Sequence, residues 1–64
     1  MNYVTMIYKE TMDPKKETIE SIEPIELEED EANALRFAKL YQLQLPADLK
    51  KTTTYRTYKV KVAH

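Results

Sequence analysis

Apolar positions change their period twice along this chain. Over residues 2–11 they alternate: Val4, Met6 and Tyr8 share one face of an extended segment, and Tyr3, Thr5 and Ile7 share the other. Both sets are largely apolar, and no proline interrupts them. That predicts a central strand with a helix on one face and partial cover on the other. Between Glu28 and Leu45 the recurrence lengthens to three and four, through Ala34, Phe37, Ala38, Tyr41 and Leu45, and predicts a helix over 29–44. Acids crowd its first turn and Arg36 and Lys39 follow, the order that suits the helix dipole. Asp30 is the expected N-cap. Pro46 stops the helix and pushes Leu45 toward extended backbone. Over residues 52–63 alternation returns, with Tyr58, Val60 and Val62 opposite Thr57, Lys59 and Lys61.

Residues 17–27 fit neither period cleanly. Ile19, Ile22 and Ile25 are spaced by three, so a strand here needs a β-bulge near Ser21 or Ile22 to bring them to one face. Pro24 lacks an N–H and argues for a sheet edge. Asp13-Pro14 reads as the start of the preceding turn, over residues 12–16. The order is therefore β-β-α-β, one small α+β domain spanning 1–64. A hairpin followed by a helical return predicts an antiparallel-type sheet of order 2-1-3, with one helix on one face and a right-handed crossover.

In this reading Phe37 and Tyr41 anchor the helix over Val4, Met6, Tyr8, Ile22, Val60 and Val62. Tyr3, Ile7 and Tyr55 are left on the open sheet face, and Leu40 and Leu43 fall off the helix stripe. Apolar surface of this kind marks an interface, and two-fold pairing is the commonest way to hide it, so these five residues predict a homodimer.

Composition narrows the chemistry. Sixty-four residues without Cys have no disulfide framework and no thiolate metal site. A core of this size rarely supplies more than about 3–5 kcal/mol, which again favours a partner or a second copy. The absence of Gly excludes every glycine-rich phosphate cradle and predicts turns that avoid positive φ. The single His, His64, has no ligand or catalytic companion, and Ser21 has no histidine near it in sequence. The carboxylates lie in exposed runs with nothing to raise their proton affinity. The expectation is a protein that is not an enzyme and needs no cofactor. The opening residues are too polar for a signal peptide, and no stretch approaches membrane-spanning length, so a cytoplasmic location is expected.

Net charge is −1, but it is unevenly placed: residues 17–31 hold eight acids and no base, and residues 50–64 hold five bases and no acid. The first block predicts an acidic surface, formed by Glu20, Glu23, Glu26, Glu28, Glu29, Asp30 and Glu31, offered to the basic surface of a larger protein. This is the pattern of a small regulator or inhibitor, of a size that suits an accessory gene of a phage or other mobile element. The alternative is single-stranded nucleic-acid binding by the third strand, where Tyr55, Arg56, Tyr58, Lys59 and Lys61 interleave rings with cations.

Overall fold

A computed structural model of the chain describes residues 2–62. Ala63, the expected end of the third strand, and His64 lie outside the described residues. Strand β1 (Tyr3–Asp13) turns into β2 (Thr18–Glu28), helix α1 (Glu31–Gln44) crosses back, and a short 3₁₀ turn at Leu49–Lys51 leads into β3 (Thr53–Lys61). The three strands form one sheet in the order β2-β1-β3, with β1 antiparallel to both neighbours.

Each element follows from local chemistry. Asp13 ends β1 by accepting from the backbone N–H groups of Lys15 and Lys16 at 2.9 and 3.4 Å, and its carbonyl accepts from Glu17 N–H at 2.8 Å. The turn closes through Glu17 at φ 55°, a left-handed conformation that glycine usually fills. Turns in this chain therefore do not avoid positive φ as the lack of Gly predicts; a glutamate takes it. Strand β2 slips register twice against β1: its pairing passes from Glu26 to Pro24 and from Ser21 to Ile19, leaving Ile25 and Glu20 as the extra residues. The second slip adjoins Ser21, where the isoleucine spacing requires it. Ile19, Ile22 and Leu27 then oppose Met12, Glu10 and Met6, so all three share a face. Asp30 caps α1 by accepting from Ala32 N–H at 2.9 Å, and Leu45 leaves the helix with extended backbone ahead of Pro46.

The helix lies on the opposite sheet face from the one that alternation predicts. The core is Ile7, Ala34 and Ala38, with Phe37, Tyr41 and Tyr55 packed around it; Ile7 has 0% exposure. Thr5 and Thr53 are also buried. Ile7 and Tyr55 are thus under the helix and not on the open face, and Tyr3 belongs to the same set of odd-numbered β1 positions. Val4, Met6, Tyr8, Ile22 and Val60 lie on the face away from the helix, and Val62, just past β3, donates its N–H to the Asn2 carbonyl.

Polar contacts account for this choice. The Gln42 amide donates to the Thr53 carbonyl at 3.0 Å and accepts from Tyr55 N–H at 2.8 Å. The Tyr41 hydroxyl donates to Glu26, and Glu31 pairs with Lys59 at 2.9 Å. The inner side of α1 is small and partly polar. Ala34 and Ala38 let it approach closely, and on this side Gln42 reaches the β3 edge, Tyr41 reaches Glu26 and Glu31 reaches Lys59.

Candidate interaction surfaces

The face away from α1 is built from even-numbered β1 residues and their neighbours. Its rows read Leu27, Met6, Tyr58 and then Pro24, Tyr8, Arg56, with Val4 and Val60 at one end and Ile22, Glu10 and Met12 toward the other. Leu27 is 55% exposed and Tyr58 52%, and Ile19 and Ile22 are exposed beside them. The rings of Tyr8 and Tyr58 meet edge to face, with centroids 5.3 Å apart. One ion pair crosses this face, Arg56 to Glu10 at 3.5 Å. The sheet thus leaves its more apolar side open. The open-face residues named from the sequence are replaced by a larger set, while Leu40 and Leu43 do lie exposed on α1, and Leu35 is exposed on its side toward β3.

The carboxylates sit on the other side. Glu23, Glu26 and Glu28 oppose Lys9, Ile7 and Thr5, which places them on the helix face of β2, along the edge that α1 covers least. Several are engaged within the fold: Glu23 pairs with Lys9 at 3.6 Å, Glu26 accepts from Tyr41, Asp30 caps the helix and Glu31 holds Lys59. Glu20, Glu28 and Glu29 make no ion pair or side-chain hydrogen bond among the described residues. Of the seven predicted acids, Glu23, Glu26 and Glu28 thus form a rim on the helix face of β2, while Glu31, at the start of α1, reaches across to Lys59 of β3.

Among the described residues Tyr41 and Lys59 are shifted in proton affinity. Donation to Glu26 raises the Tyr41 phenol above its usual value, aided by desolvation and by the charges of Glu26 and Glu28. The hydrogen bond and charge of Glu31 raise the Lys59 ammonium. Both move away from neutral pH, where proton transfer is useful. Among the described residues no three His, Cys, Asp or Glu side chains converge as a metal site requires.

The predicted nucleic-acid strand does not come together as a surface. Tyr55 packs against the core, Arg56 and Tyr58 lie on the open face, and Lys59 and Lys61 lie on the helix side. Arg56 and Lys59 are each already paired with a carboxylate. Of these five residues only Tyr55 and Arg56 line one groove, beside Lys39, while Tyr58, Lys59 and Lys61 lie outside it.

No helix is long and apolar enough to cross a membrane among the described residues. No family model, no curated protein and no solved structure matches this chain. What it does has to be read from its own surface.

Proposed function

We propose that the chain is a non-enzymatic protein-interaction module, a small cytoplasmic regulator or inhibitor. It pairs with a second copy through the open sheet face and turns its acidic rim toward the basic surface of a larger protein. The observation that supports this reading is the difference between the two faces of the β1–β2 hairpin: Met6, Tyr8 and Leu27 on one side, Glu23, Glu26 and Glu28 on the other. The Cα extents are 42 × 22 × 12 Å. A face of that outline is on the order of 900 Å², near the roughly 800 Å² per partner of a standard interface. Stacking two such faces about 10 Å apart supplies the second apolar layer that so small a core lacks. It also leaves Glu20, Glu28 and Glu29 of both copies pointing outward. Helix-to-helix pairing through Leu35, Leu40 and Leu43 is the weaker geometry, because it would leave the larger apolar face in water.

Sedimentation equilibrium tests the pairing. A dimer is expected near 100 μM (the scale of a weak association), lost in Met6→Lys and Tyr58→Lys and kept in Leu40→Lys/Leu43→Lys. A monomer at that concentration overturns it. Ile7→Lys does not test the interface, since Ile7 belongs to the core. For the rim, charge reversal at Glu20, Glu28 and Glu29 should slow association with a captured partner and flatten its salt dependence. Loss of binding on reversal of Lys59 and Lys61 alone would assign contact to the wrong edge.

A further inference from the structure

The two outer edges of the sheet are not equivalent. The β2 edge is interrupted by Pro24 and by the extra residues Glu20 and Ile25, features that block strand addition. The β3 edge is regular: its register with β1 runs unbroken from Thr53 to Lys61. Val62 N–H bonds to Asn2 and Thr52 C=O to Met12, so even-numbered backbone groups turn toward β1. The odd-numbered groups, at Thr53, Tyr55, Thr57, Lys59 and Lys61, turn outward. Gln42 fills this edge at Thr53 and Tyr55, its amide standing where a neighbouring strand's peptide group would be. Among the described residues nothing fills it beyond. Alongside runs a shallow groove of about 600 Å³ between α1 and β3, with Leu35, Ala38, Lys39 and Thr57 in its lining. Leu35 is 53% exposed there and takes no part in the helix's inner stripe. Lys39 and Lys61 have no carboxylate partner among the described residues.

We propose that the β3 edge from Thr57 to Lys61 accepts an extended acidic segment of a partner protein as a fourth strand. Its backbone pairs with the outward groups of Thr57 and Lys59. Of the side chains it turns to the helix side, the apolar ones enter the groove beside Leu35 and Ala38, and carboxylates before and after them on that same side meet Lys39 and Lys61. Charge complementarity selects the occupant. A second copy's β3 would bring lysines against lysines, and a nucleic acid has no peptide groups to continue the ladder. The added strand lies in the plane of the sheet, so it competes neither with the open face nor with the acidic rim.

The probe is a capped eight-residue peptide, Thr-Glu-Thr-Val-Thr-Val-Thr-Glu, whose Glu and Val side chains share one face, titrated into the ¹⁵N-labelled protein at low salt. The amides of Thr57 and Lys59 should shift and become protected from hydrogen exchange, while those of β2 stay unchanged. Lys39→Glu/Lys61→Glu should weaken binding at least about tenfold. The same peptide N-methylated on the amides of one edge should not bind. Equal binding by that peptide, equal shifts with a Lys/Val peptide, or shifts confined to the open face would each overturn the proposal.

Discussion

Ile7 has no accessible surface and packs with Ala34 and Ala38, side chains too small to close over a gap. Ile7→Ala should cost about 2–5 kcal/mol, comparable to all that a core of this size supplies. Urea unfolding followed by circular dichroism at low concentration, where pairing is absent, should show that variant largely unfolded. Met6→Ala on the open face should cost less than about 1 kcal/mol under the same conditions. If the two costs are reversed, the helix covers the other face. Alternation shows that β1 has two usable faces but not which one the helix takes. That choice rests on single polar side chains, Gln42, Tyr41 and Glu31, whose partners lie far away in sequence. Gln42, next to Tyr41 near the apolar stripe, was the one available hint. Tyr41 also carries a pH dependence. Its phenol is raised in the fold, so the stability that it adds is fully present below the ordinary value of 10.0 and lost as pH rises through the folded value. Lys59 acts in the same sense above 10.5. Absorbance titration should reveal a tyrosinate step above the usual range that vanishes in Tyr41→Phe.

Among the elements, α1 and its ends are the most legible in sequence, because period, cap and stop signal lie within the segment itself. Pro46, Asp30 and the spacing of Ala34 and Ala38 act locally and need no tertiary information. The β1–β2 turn is less legible. A chain without Gly suggested that positive φ is avoided, yet the hairpin geometry imposes it at Glu17. Glu17→Gly should therefore stabilise the protein by up to about 1 kcal/mol in a urea titration, since a β-carbon in that conformation costs roughly 1–2 kcal/mol and glycine regains only part of it. Gln42→Ala should act in the other direction. It leaves the Thr53 carbonyl and the Tyr55 N–H without their partner and should cost about 1–3 kcal/mol. Faster hydrogen exchange at Tyr55, with β2 amides unaffected, would separate this local loss from global unfolding. The bulge in β2 was legible because the isoleucine spacing cannot be met without one. The second, at Ile25, has no such mark and comes from its pairing with β1.

For the molecule as a whole, the sequence already required apolar surface left over after one helix had been placed. It assigned that surface to Tyr3, Ile7 and Tyr55, whereas Met6, Tyr8, Leu27 and Tyr58 hold it. The proposed pairing through this face would link stability to concentration, because mass action would favour a folded dimer. The melting temperature should rise between about 1 and 100 μM and lose that dependence in Tyr58→Lys; a constant value in the parent protein would argue against pairing. The sheet order has a consequence at an earlier stage of the protein's life. β1 is central, but one of its two neighbours, β3, is the last strand to be synthesised. Until β3 has been made and released, the hairpin presents β1 with one flank unpaired, carrying Val4, Met6, Ile7 and Tyr8 within one short segment. Such a flank is the most adhesive part of an incomplete sheet. Ribosome-bound chains extended by a C-terminal spacer that exposes the hairpin but lacks β3 should therefore recruit holdase chaperones that chains exposing all three strands release.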